Sequence, residues 1–178
     1  MGLYLVETTF NGEIKDQNGL EEKVASLNET VQNEGVNLIE VQAAKDLSRS
    51  FLIFETEKDE DALAGVLKDN GVQADLVKAV RIVGKDLDEV KKQADNDKVN
   101  YLVQWNLPED LTMDQYLERK KKNSVHYAEV PEVSFERTYV CEDMSKCLCF
   151  YDAPDEDAVK RAREAVKTPL DSITEIGK

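Results

Sequence analysis

Three cysteines, Cys141, Cys147 and Cys149, crowd one short stretch of this 178-residue chain. Thiolates bind soft or borderline metals and exchange into reversible disulfides, while neutral cysteines pack into sheets as small apolar side chains. If a hairpin loop runs from Glu142 to Lys146, Cys141 pairs with Cys147 and Tyr139 with Cys149, which puts all four side chains on one face. The spacing C-x5-C-x-C matches no closed zinc module and leaves a fourth ligand unsupplied. An odd set confined to one half is not a disulfide framework. His126 is the single histidine. At about 100° per residue it lies opposite Leu117 on a helix and points away from the core.

A second group of candidates comes from strand alternation. Tyr4, Val6, Thr8 and Phe10 fall on one side of a first strand, and Tyr101, Val103, Trp105 and Leu107 on one side of a later one. These apolar sets are expected to pack on helices. Leu5, Glu7 and Thr9, with Leu102, Gln104 and Asn106, then face away from the helices. Glu7 and Gln104 are expected to project toward a shared cavity, where a desolvated carboxylate suits proton transfer or cation binding. Glu40, Gln42, Glu136 and Thr138 are expected to join them from the second strands. An orienting ion pair or hydrogen bond across the halves is the competing reading of Glu7.

The elements that must position these residues occur twice. Tyr4-Leu5-Val6 returns as Tyr101-Leu102-Val103, and Asp59-Glu60-Asp61-Ala62 as Asp155-Glu156-Asp157-Ala158. The first strands are 97 apart, whereas Glu40 to Glu136, Leu52 to Leu148 and Asp75 to Asp171 are 96 apart, which implies one residue lost before the second strand. A repeat of this length is a duplicated small domain. Each copy reads as strand, helix, two strands, helix, strand, with Gly35 and Asn70-Gly71 as helix stops. That order predicts an α+β fold: two tandem ferredoxin-like βαββαβ domains, at 1–84 and 100–178 around a linker helix at 85–99, their sheets facing each other as an intrachain α+β barrel.

Thirty-seven acids against 23 bases give a net charge of −14, which disfavours nucleic acid and anionic membranes as partners. The basic run Arg119-Lys120-Lys121-Lys122 is expected to be a solvated helix face. No apolar run reaches membrane-spanning length, and the opening residues lack a signal-peptide pattern, so a cytoplasmic protein is expected.

The run Cys147-Leu148-Cys149-Phe150-Tyr151-Asp152-Ala153-Pro154-Asp155-Glu156-Asp157-Ala158, with Tyr101-Leu102-Val103 before it and Pro169-Leu170-Asp171-Ser172-Ile173 after it, resembles the nickel-responsive family of small bacterial ferredoxin-like domains. The resemblance covers residues 100–178 and, more weakly, 3–84. It implies a ferredoxin-like fold and makes nickel the first ion to consider. Where relatives carry histidines in the second strand and second helix, this chain has Arg137 and Ala162 in one copy and Val41 and Val66 in the other. The strand cysteine corresponds to Cys149, and to Ile53 in the first copy.

The chain is thus expected to bind a small ligand or metal ion in or beside the interface between its halves. Glu7, Gln104, Asn106, Glu40 and Glu136 are the ligand candidates, and Cys149, Cys147 and Cys141 the metal candidates. The alternative is a cofactor-free α+β barrel enzyme, of isomerase or monooxygenase type, with Glu7 as general base. A structural or regulatory protein with no ligand is the third reading, and a second copy of the chain, as a homo-oligomer, is among the expected partners.

Overall fold

The computed structural model describes residues 2–10, 14–83, 88–89 and 99–176. The expected linker helix at 85–99 falls largely outside the described residues. The chain forms two compact units, built mainly on Met1–Val80 and on Asn96–Gly177.

The first unit contains β1 (Gly2–Thr8), α1 (Gln17–Gln32), β2 (Val36–Ala43), β3 (Ser50–Thr56), α2 (Glu60–Asp69) and β4 (Leu76–Val83). Asp16 starts α1 by accepting from the Gly19 amide at 2.7 Å, and Asp59 starts α2 by accepting from Ala62 at 2.8 Å. These caps satisfy amides that have no helical partner. Gly71 ends α2 at φ 79°, a left-handed conformation that glycine adopts without strain. The strands order β2-β3-β1-β4, with β1 antiparallel to both neighbours. Val6, Leu52 and Phe54 meet Leu20, Leu27, Val31, Leu63 and Leu67 of the two helices in one core. The first-strand alternation is therefore as expected.

The second unit repeats the plan with β5 (Tyr101–Asn106), α3 (Met113–Asn123), β6 (Ser134–Cys141), β7 (Lys146–Asp152), α4 (Glu156–Ala165) and β8 (Ser172–Glu175). Its strands order β6-β7-β5-β8. The helix expected over Met113–Ala128 is α-helical to Asn123 and continues as a 3-10 helix over Ser124–Glu129. Tyr101, Val103 and Trp105 pack with Tyr116, Ala158, Val159 and Ala162. Both units thus have the ferredoxin-like βαββαβ order, with their helices on one face of the sheet.

Strand register corrects two expectations. Tyr4 pairs with Phe54 and Tyr101 with Tyr151, so the third strands are equivalent at the same 97-residue offset as the first. The register break between Leu38 and Glu40 recurs between Phe135 and Arg137, also 97 later. The offset becomes 96 only at the helix caps, Asp59 and Asp155. The missing residue therefore lies between β7 and α4, where Pro154 alone separates Ala153 from Asp155. Glu40 corresponds to Arg137, not Glu136, and Cys149 to Leu52, not Ile53.

The second correction concerns the cysteines. Val140 pairs with Cys147 and Thr138 with Cys149, one residue away from the expected register. Met144 takes a left-handed conformation (φ 61°) and donates its amide to the Cys141 carbonyl at 2.9 Å, closing the turn one residue early. A one-residue slip moves every side chain to the opposite face. Cys147 and Cys149 lie with Val140 on the helix side, whereas Cys141 lies with Tyr139 on the other. Three thiols on one face do not occur, and Thr138 likewise turns toward the helices.

A cationic, aromatic cleft over a buried thiol pair

On the helix side of the second unit, α3, the 3-10 helix and α4 leave a small, partly open cleft above the sheet. Trp105 and Cys147 rise from the strands, Tyr116, Arg119, Lys120 and Asn123 come from α3, and Arg163 comes from α4. A capping box at Thr112 and Gln115 fixes the start of α3. Asp155, accepting from Ala158 at 2.8 Å, fixes α4. The expected solvated face is partly this wall: the Arg119 guanidinium lies 5.4 Å from the Trp105 ring, and the Lys120 ammonium 4.3 Å from the Phe135 ring.

Arg163 is 3 % exposed. It donates from Nη1 to Cys149 Sγ at 3.4 Å and to Tyr151 Oη at 3.1 Å, and from Nη2 to the Pro169 carbonyl. Its Nε has no hydrogen-bond partner among the described residues. Cys149 also receives Thr138 Oγ1 at 3.3 Å. Tyr127 and Tyr151 join hydroxyl to hydroxyl at 2.6 Å.

These contacts set the titration of the site. The Cys147 thiol, and then Lys120, Arg163 and Thr138, hold Cys149 well below the ordinary cysteine range against the opposing effect of burial. Cys147 moves the other way, because its proton bonds to Cys149 and its surroundings are apolar. The neighbouring sulfurs thus move in opposite directions, Cys149 toward the thiolate and Cys147 toward the thiol. Burial raises Tyr116 and pushes Tyr127 up to about 12. For Arg163, burial acts to lower its pKa, but the Cys149 and Tyr151 charges outweigh it and the guanidinium stays protonated.

The other candidates lie elsewhere. Glu7 is 4 % exposed and pairs with Arg49 at 3.5 Å, while Arg49 also approaches Asp75 at 3.8 Å. Glu40 stands opposite Ile53 and accepts from Gln42 at 3.3 Å, on the helix-free face that Glu7 shares. In the second unit Gln104 accepts from Lys146 at 2.8 Å. The Asn106 backbone N–H donates to the Asp171 carboxylate at 2.5 Å. Glu136 is the extra residue of the β6 bulge and accepts from Ser134 at 2.8 Å. Glu7 and Gln104 thus occupy equivalent points of central strands, and each meets a cation from the return strand of its unit's hairpin, Arg49 just before β3 and Lys146 at the start of β7. His126 pairs with Glu129 at 2.7 Å, outside the cleft lining.

Sequence reasoning missed Arg163. Its equivalent, 96 residues earlier on α2, is the fully buried Leu67. An arginine at a core position of a duplicated helix was the available signal.

The fold and the cleft define a ferredoxin-like α+β domain, duplicated in one chain, with a basic and aromatic site in its second copy. Residues 101–176 match the family model described as "Nickel responsive protein SCO4226-like". The crystal structure of SCO4226 from Streptomyces coelicolor A3(2) is similar over 44% of this chain and 96% of its own, at 19% identity and a TM-score of 0.39. A putative chlorite dismutase, TA0507, is similar over 100% of this chain and 96% of its own, at 12% identity and a TM-score of 0.54. A putative monooxygenase from Lactobacillus acidophilus NCFM covers 99% and 92%, at 12% identity and a TM-score of 0.52. These last two likenesses show the fold. No curated protein matches the chain.

Nickel does not fit the thiol pair. Among the described residues no three His, Cys, Asp or Glu side chains gather as a metal-holding group. The second-strand and second-helix positions hold Arg137, whose guanidinium lies 5.0 Å from the Phe150 ring, and the buried Ala162. Arg163 already presents a cation to Cys149, so a divalent ion there would meet like charge. Cys141, on the opposite face, supplies no third thiolate.

Proposed function

We propose that this chain is a small-ligand-binding protein whose site is the cleft of the second half. Its ligand carries a compact anionic group on an aromatic or apolar body. The observation that carries this reading is the buried Arg163, whose Nε–H lacks a partner while the residue lines the cleft. A buried donor left unpaired costs about 1–3 kcal/mol, and an anion entering the cleft would recover that cost. Arg119 and Lys120 add positive charge to the same walls of an otherwise acidic protein. Trp105, Tyr116 and Tyr127 supply ring surface, and Asn123, Ser124 and Thr168 supply neutral hydrogen-bonding groups.

Ligand-observed NMR with benzoate, phenyl phosphate and the neutral benzamide tests this reading. The two anions are expected to bind and benzamide to bind at least tenfold more weakly, and Lys120→Gln is expected to reduce that preference. Equal binding of benzamide, or binding indifferent to Lys120, would contradict it.

A further inference from the structure

We propose that Cys149 is a reactive thiolate that a small hydroperoxide oxidises to a sulfenic acid. A guanidinium is charged at any accessible pH, and a buried charge is kept only beside an opposite one. Among the described residues Arg163 touches Cys149, the Tyr151 hydroxyl and the Pro169 carbonyl, with no carboxylate. The sulfur is the one partner able to supply a negative charge at neutral pH.

The surroundings of the sulfur agree. A neutral thiol is a weak acceptor. Cys149 Sγ nevertheless accepts from the Thr138 hydroxyl at 3.3 Å and from Arg163 at 3.4 Å, and the Cys147 thiol bonds to it as well. Two donor groups flanking a sulfur can also hold a peroxide oxygen beside it. Cys149 itself is 1 % exposed, but Cys147 and Arg163 both line the cleft and both touch it. A molecule the size of hydrogen peroxide at the cleft floor is therefore one side chain, Cys147 or Arg163, away from the sulfur.

The step balances within the site. The Cys149 thiolate attacks one peroxide oxygen, an S–O bond forms and the O–O bond breaks. The departing oxygen takes the Cys147 proton and leaves as water, or as an alcohol from an organic hydroperoxide. Sulfur is oxidised, the peroxide is reduced, and the negative charge passes to Cys147. Arg163 and Thr138 stabilise the charge that builds on oxygen. Cys149 is thereby placed on the first, reversible rung of cysteine oxidation. This inference does not depend on the organic ligand proposed above.

The test uses the reduced full chain, one equivalent of hydrogen peroxide, a dimedone trap for sulfenic acids, and peptide mass mapping. Label is expected on Cys149 alone, formed about a hundredfold faster than on free cysteine, with Thr138→Val about tenfold slower than wild type. Label on Cys147 or Cys141, or a rate no faster than free cysteine, would overturn the proposal. So would an unchanged rate in a Thr138→Val variant that melts cooperatively.

Discussion

Arg163 and Cys149 form a buried pair at 3.4 Å in which each side chain provides the charge the other needs. Breaking such a pair from one side leaves an uncompensated group in the interior. Arg163→Met is expected to cost about 3–5 kcal/mol in urea unfolding. Arg163→Lys should recover only part of this, because an ammonium cannot reach Cys149, Tyr151 and Pro169 from one planar fork. A loss below about 1 kcal/mol for Arg163→Met would contradict the pair.

The titration shifts give a signed pH dependence. Cys149 has a folded pKa below that of the unfolded chain, so its contribution to stability is complete above the unfolded value of about 8.5 and is lost as pH falls through the folded one. Tyr127 shifts upward, to about 12. Its contribution is present below the unfolded value of about 10 and disappears as pH rises toward the folded one. Urea melts across pH 9–12 should therefore show an alkaline loss that is shallower in Tyr127→Phe. Parallel curves for the two proteins would contradict the assignment.

The duplicated helix caps are expected to act equally. Asp59→Ala and Asp155→Ala each remove an acceptor held 2.8 Å from a first-turn amide, and each should cost about 1 kcal/mol in thermal or urea unfolding. Asparagine at either position should retain most of that stability.

Glu7 and Arg49 offer a contrast with the buried pair. Arg49 is 41% exposed in its side chain and also lies 3.8 Å from Asp75. A Glu7/Arg49 double-mutant cycle is expected to yield a coupling of about 1 kcal/mol or less, falling with added salt. A salt-independent coupling above about 3 kcal/mol would mark Glu7 as a fully desolvated carboxylate instead.

The doubled βαββαβ order was legible because periodicity and caps are local signals: Val6 and Val103 alternate as expected, and Asp59 and Asp155 stand where the helices start. The side chosen by Cys141 was not legible. It depends on whether Met144 or its neighbour takes the left-handed turn position, and one residue reverses the face. The deletion near Pro154 was misplaced for a similar reason, since Phe54 and Phe150 look equivalent by type while the ladder pairs Tyr151 with Tyr101. Arg163 escaped notice because a helix rich in Lys and Arg reads as solvated. The meeting of its guanidinium with a strand cysteine is a tertiary fact.

The most direct measurement is NMR observation of the Arg163 Nε–H, assigned with the Lys variant, while benzoate is titrated into the reduced protein. A saturable shift of that resonance and slower exchange with water are expected, as the anion takes up the unpartnered Nε–H of the guanidinium. A resonance that does not respond while benzoate binds elsewhere, or no saturable binding at all, would contradict the assignment of this cleft as the ligand site.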